Sequence, residues 1–238
     1  MPFNIAHRLL SIAKGPRVSI FIFHRVLPKH DPLMPDEPTV EEFDAIVSWI
    51  KKDFCIYALG EALERFQYEP EGKPLAAITF DDGYADNFHY ALPVLQKHQV
   101  AGTFFIATGY LDGGRMWNDT IIETIRLAKT GELDLSRAGL DRYTLTNDAD
   151  RLSCIYKLIH YCKYLEPAIR SATVNTISTL YEQGLPKNLM MQSDNLRTMQ
   201  EAGMEIGAHT VTHPILARLP LSEAKTEIGS GREILKGI

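Results

Sequence analysis

An α/β fold with a mostly parallel sheet is predicted for this chain by three observations. From residue 17 onward, short runs of β-branched and aromatic residues alternate with longer amphipathic stretches, the pattern of repeated strand and helix units. The polar residues best suited to chemistry stand directly behind those runs: His24, Asp81 with Asp82, and His209 with His213. The 238 residues are 45% hydrophobic and 23% charged, enough to bury one large core or two small ones, and no tract has a disordered composition.

The elements follow in order. Segment 1–16, within "MPFNIAHRLLSIAKGPR", interrupts its apolar residues with His7, Arg8 and Lys14 and reads as a short amphipathic helix. It lacks the continuous apolar stretch and small-residue cleavage site of a secretion signal. Leu9, Leu10 and Ile12 give it a packing face, with peripheral membrane contact as the alternative. "RVSIFIF" (17–23) is the first strand. A Pro-rich acidic loop follows, closed by Thr39-Val-Glu-Glu42, which has capping-box form and opens a helix to about Lys52. "FCIYAL" is a second short strand and "GEALERF" a short helix.

"PLAAITF" (74–80) is a strand leading straight into the aspartates, and "ADNFHYALPVLQKH" a helix that Pro93 is expected to kink. "AGTFFIAT" (101–108) is another strand. Between 110 and 190 the rhythm breaks: "NDTIIETIRLAKTGELDL" and "DADRLSCIYKLIHYCKYL" are helix-like with no clear strand between them, so a helical insertion on the sheet core is expected. Ser193 suits the N-cap of a helix ending at Gly203, "MEIGAH" is a strand, and "LSEAKTEIGSGREIL" opens the next helix.

Composition narrows the function. With 25 Lys and Arg against 30 Asp and Glu, the net charge is -5, and no basic stripe interleaves with aromatics, so nucleic acid is not an expected partner. Cys55, Cys154 and Cys162 contain no C-x-x-C pair and read as buried thiols rather than a disulfide or zinc framework. No apolar stretch approaches the roughly 20 residues that span a bilayer. Lack of a signal favours the cytoplasm or a peripheral membrane location.

In parallel α/β sheets functional groups gather where strands end, which would bring His24, the aspartates and the histidines to one rim. In "AHTVTHP" the histidines are four apart, so one helical turn would put both rings on one face. With one carboxylate they supply the three N and O ligands of an open divalent-metal site. The metal would let the second carboxylate stay ionised beside it as a general base. Singly, each motif has an ordinary explanation: Asp-Asp-Gly is a common turn, two of eight histidines can fall four apart by chance, and His24 can bond a strand end. Their conjunction at strand ends carries the reading.

These residues resemble the polysaccharide deacetylases, carbohydrate esterase family four. "TFDDGY" is similar to the family's first motif, implying Asp81 as base and Asp82 as metal ligand. "HTVTHP" is similar to its second, implying His209 and His213 as ligands with Thr210 shaping the loop. "FHRV", "GTFFIATGYL" and "LRTMQEAGMEIGAHTVTH" match the surrounding pattern, so the resemblance covers about 17–238 as one deacetylase-like domain. It implies a distorted (β/α)7-type barrel and removal of acetyl groups from an acetylated glycan. The implied cofactor is one divalent ion, zinc first, with cobalt, nickel and iron also accepting such ligands. A backbone N–H near Tyr84 would stabilise the oxyanion.

The family often works outside the cytoplasm, which keeps an extracytoplasmic location open. Its later motifs, carrying an arginine that orients the base and a histidine acid, would lie beyond Ile238. The expectation is therefore a barrel incomplete at its C-terminus, open to self-association through a sheet edge, with His24 a conceivable substitute acid. The alternatives are a non-catalytic glycan- or metal-binding module, and a phosphatase of the haloacid dehalogenase type. The latter needs Asp-x-Asp, whereas Asp81 and Asp82 are adjacent, and it leaves the histidine pair without a task.

Overall fold

The computed structural model describes residues 18–68 and 73–238; the amphipathic helix expected over 1–16 lies outside the described residues. Five parallel strands form the main sheet. β3 (Leu75–Phe80) is its centre, with Ala76, Ala77, Ile78 and Phe80 fully buried, as expected of a strand covered on both faces. β1 (Val18–Phe23) pairs with β3 along its whole length, from Val18 opposite Leu75 to Phe23 opposite Phe80. The other edge of β3 is shared. β2 (Cys55–Ile56) takes its first two residues, and β4 (Thr103–Ile106) takes Thr79 and Phe80. β7 (Glu205–Ala208) then pairs with β4, giving the order β1-β3-β4-β7. Among the described residues β1 and β7 do not pair with each other, and Ile20 and Ile22 on β1 are exposed.

Helices cover the sheet. α1 (Val40–Asp53) begins with the expected capping box: the Thr39 hydroxyl accepts from the Glu42 N–H at 3.2 Å, and the Glu42 carboxylate from the Thr39 N–H at 2.8 Å. Its Phe43, Val47 and Ile50 share one buried face. Phe43 meets Phe23 edge-on at 5.1 Å, while Phe80 and Phe104 stack at 4.8 Å, so aromatic rings tie α1, β1, β3 and β4 together. α2 (Leu59–Tyr68) follows β2. After β3 comes a π-helical turn, Asn87–Ala91, and then α3 (Leu92–His98). Pro93 therefore sits in the first turn of an α-helix, where its missing N–H costs least, and the π turn absorbs the irregularity in place of the expected kink.

The stretch 110–190 is not wholly helical. α4 (Trp117–Leu127), α5 (Asp148–Lys163) and α6 (Pro167–Ser178) are joined by an antiparallel hairpin, β5 (Gly131–Asp134) with β6 (Arg142–Leu145). These short charged strands carry no β-branched run, so no strand was expected. They are held by pairing of Arg142 with Glu132 and Asp134 and by inward-facing Leu133 and Leu145. This region has its own apolar core, including Ile121, Ile125, Leu145, Ile155, Leu158 and Ile177. Cys154 and Cys162 lie in it as free thiols, each pushed up to about 11 by burial, while Cys55 is free and half-buried.

α7 (Ser193–Glu201) and α8 (Leu221–Lys236) flank β7. The N-cap of α7 is Gln192, not Ser193. Asp112 draws Ser193 away by accepting from its N–H at 2.8 Å and its hydroxyl at 3.0 Å. Gly203, at φ +84°, turns the chain out of α7 as expected. No helix among the described residues is long and apolar enough to cross a membrane.

Candidate metal and active site

The parallel register brings the strand ends together. Phe23 is level with Phe80, Phe80 with Phe104, and Ile106 with Ala208. Backbone bonds continue past the strands: the Asp81 N–H donates to Phe23 at 3.0 Å, Ala107 to Asp82 at 3.1 Å, and His209 to Ile106 at 2.8 Å. His24, the two aspartates and the histidine segment thus share one rim.

At the end of β3 the chain turns sharply. The Gly83 N–H donates to the Asp81 carbonyl at 3.1 Å, and both Asp82 and Gly83 are left-handed, at φ +78° and +90°. A side chain at Gly83 would also press on Ile106 at 3.2 Å, so this position requires glycine. The turn aims Asp82 inward, where it is 5% exposed. Its Oδ1 lies 3.7 Å from His209 Nε2 and 3.4 Å from His213 Nε2. That oxygen is buried and has no hydrogen-bond partner among the described residues. One donor atom from each of the three residues falls within 4.8 Å of the others. Burial lowers the His213 pKa below its ordinary value, against the pull of Asp82, which keeps the ring in the neutral form that binds metals.

The histidine segment is not the expected helical turn. Thr210 and His213 have φ of +65° and +53°, and the segment runs as an irregular loop. The rings nevertheless come together, with centroids 4.9 Å apart. The Thr210 hydroxyl accepts from the His213 N–H at 3.1 Å and donates to the His209 carbonyl, closing the loop on itself. From α8, Glu227 accepts from the Val211 N–H (2.8 Å), the Thr212 N–H (2.9 Å) and the Thr212 hydroxyl (2.7 Å). Burial opposes the Glu227 charge, but these bonds outweigh it and hold the carboxyl below its ordinary pKa. Gly231 lets α8 approach: a Cβ there would stand 3.0 Å from the Thr210 carbonyl oxygen.

The remaining sequence candidates occupy different depths. Asp81 is half-buried beside Asp82, and His24 is exposed on the same rim. The Tyr84 ring is inside the protein, 3% exposed, its hydroxyl donating to Asp119 at 3.1 Å and accepting from Asn118 at 3.3 Å. Sequence reading missed the charges around it. The Arg25 guanidinium stacks over the Tyr84 ring at 4.5 Å and pairs with buried Asp86 at 2.7 Å. Burial pushes the Asp119 carboxyl up to about 6 despite the Arg25 charge. Arg25 directly follows His24 in "FHRV", a signal of position without a signal of burial.

A model of the family described as "Polysaccharide deacetylase" matches residues 68–150 and 160–238, more than half of the chain. The chain belongs to the polysaccharide deacetylase family. Its curated relative "Putative polysaccharide deacetylase YxkH" of Bacillus subtilis is 30% identical over 95 residues, which is 39% of this chain and 33% of that protein. The alignment thus spans about a third of the curated relative. Among solved structures, the Streptococcus pyogenes deacetylase PplD in complex with acetate aligns with a TM-score of 0.55 at 16% identity, covering 94% of this chain and 70% of that one. IcaB from Ammonifex degensii gives the same values. The family fold is a (β/α)7 barrel, and the parallel strands described above are part of it.

Proposed function

We propose that the chain is a metal-dependent hydrolase that removes acetyl groups from N-acetylated sugars of a glycan. Asp82, His209 and His213 would hold one divalent ion, zinc being the first candidate. The observation that carries this reading is the unpartnered Asp82 Oδ1, buried and facing two imidazoles. A buried carboxylate oxygen without a partner is costly, and a cation between the three groups would satisfy it. The donor set, two nitrogens and one oxygen with coordination left open, suits catalytic zinc. When bound, such an ion activates water and polarises a carbonyl.

The chain's own residues supply the rest. Asp81, next to the ligand and half-buried, accepts the proton of the attacking water on its carboxylate. A backbone N–H near Tyr84, in the turn behind Asp82, would stabilise the oxyanion as it develops. Thr210 holds the two histidines in register. His24, exposed on the same rim, would be the substitute acid that protonates the leaving amine. Membership of the polysaccharide deacetylase family and the likeness to YxkH support a deacetylated carbohydrate as product class. Among the described residues no further strand pairs with the outer edges of β1 and β7, which supports self-association through the sheet.

The test is metal content together with acetate release from N-acetylglucosamine oligomers. The wild type is expected to carry one divalent ion per chain and to release acetate, and His213→Ala to lose both. A stoichiometric metal retained by His213→Ala would overturn the ligand set. Metal binding by the wild type with no acetate release would leave a non-catalytic binding module.

A further inference from the structure

Arg170, on α6, is 9% exposed, and its guanidinium lies 5.1 Å from the centroid of the Trp117 ring. Among the described residues it has no carboxylate within ion-pair distance and its side chain makes no hydrogen bond. Arg25, the half-buried cation near the site, is by contrast paired with Asp86. Although the residue is 9% exposed, its unpartnered nitrogens stay in contact with solvent and so are open to a ligand, and the planar guanidinium fork fits a carboxylate or phosphate.

One line of contacts and one electrostatic influence connect Arg170 with the candidate metal triad. Trp117, under its guanidinium, opens α4, and the next residue, Asn118, donates to the Tyr84 hydroxyl at 3.3 Å, two residues from Asp82. On the other side, Tyr110 donates to the Thr212 carbonyl at 3.3 Å, next to His213, and the Arg170 charge acts on both Tyr110 and His213. The Arg170 cation and the Trp117 indole therefore lie together, and an anionic sugar matches both, through its acidic group and its ring face.

We propose that Arg170, with Trp117, forms an oxyanion subsite near the triad that takes a carboxylate or phosphate carried by the glycan. The glycan as source rests on the function proposed above; the oxyanion chemistry does not. The subsite would favour an acidic glycan over a neutral one of the same length.

The chain's two tryptophans are Trp49 and Trp117, so a Trp49→Phe background makes fluorescence report on Trp117. Glucuronic acid, glucose, inorganic phosphate and acetate are each titrated into metal-loaded protein. Glucuronic acid and phosphate should perturb the signal at concentrations where glucose does not. Arg170→Gln should weaken their binding about tenfold or more, since a charge-assisted bond contributes about 1.5–3 kcal/mol. Arg170→Lys should recover part of it. Equal binding of glucuronic acid and glucose by the wild type overturns the subsite, and this comparison needs no variant to fold. So does unchanged anion affinity in a folded Arg170→Gln. Arg170-dependent binding of acetate as tight as that of glucuronic acid supports the oxyanion site with the released product as its source. Acetate release from N-acetylglucosamine oligomers, assayed on the same protein, separates the two readings. Release without anion binding removes the subsite alone, and anion binding without release removes the deacetylase reading alone.

Discussion

Two glycines in α8 should respond oppositely to the same substitution. Replacing a helical glycine by alanine is worth about 1 kcal/mol in the helix itself, and in a protein of this size about 1 kcal/mol moves Tm by roughly 2–4 °C. A Cβ at Gly229 meets nothing within 4 Å, so Gly229→Ala should raise Tm by about that amount. A Cβ at Gly231 would stand 3.0 Å from the Thr210 carbonyl oxygen, 3.2 Å from its carbon and 3.4 Å from the Ala208 Cβ. Relief requires the histidine loop to retreat by a few tenths of an ångström. That loop is held by the Thr108 N–H on the Thr210 carbonyl at 3.1 Å and by Glu227 on Val211 and Thr212.

Overpacking of this kind costs about 1–3 kcal/mol, enough to cancel or reverse the helical gain. Gly231→Ala is expected to leave Tm unchanged or lowered, and to weaken binding of the proposed metal because His209 and His213 flank the displaced carbonyl. Thermal unfolding and chelator competition on the two variants check both points. Equal rises in Tm with equal metal affinity would refute the claim that α8 braces the ligand loop.

Further perturbations separate the roles of individual charges. Asp81→Asn should keep the metal and lose about 10²–10⁴ in rate, whereas Asp82→Asn should lose the metal; elemental analysis and acetate release would show the reverse pattern if the two aspartates exchange roles. Arg25→Met leaves buried Asp86 without its partner and should cost about 3–5 kcal/mol in denaturant unfolding, with much of it recovered when Asp86→Leu is added. The lowered Glu227 pKa gives a stabilisation that is complete above the ordinary glutamate value of 4.5 and lost as pH falls through the folded value. The stability gap between wild type and Glu227→Gln should therefore be widest at neutral pH and shrink below about pH 4; a gap independent of pH would contradict it.

The parts of the fold visible in the sequence are those set by local chemistry. β1, β3 and β4 announce themselves by β-branched and aromatic runs, β7 by a short apolar stretch before the histidines, and α1 by its capping box. The candidate site was visible because parallel strands converge on one rim, so motifs far apart in sequence could be joined by topology alone. Backbone handedness was not visible. Asp82, Thr210 and His213 take positive φ without being glycine, a conformation imposed by Gly83, Glu227 and Thr108 from outside. Nor was the buried charge legible. Arg25 and Asp86 are 61 residues apart and carry no local signal of burial; only the fold pairs them and sets Arg25 over the Tyr84 ring. The β5–β6 hairpin escaped notice because its pairing relies on Arg142 and two acids rather than on β-propensity.

The separate apolar core of the 110–190 region bears on how the chain acquires its site. Ile121 to Ile177 can cluster through near neighbours, whereas β4 and β7 must close a loop in which Thr103 finds Glu205, 102 residues away. Local contacts form early and distant parallel pairings late. The ligand set is thus expected to be assembled last: the aspartate waits through the collapse of the intervening region before the histidines arrive. Pulse-labelled hydrogen exchange during refolding should find α4, α5 and α6 protected before β4 and β7. Metal added at the start of refolding should then hasten only the final phase, because no earlier species presents all three ligands.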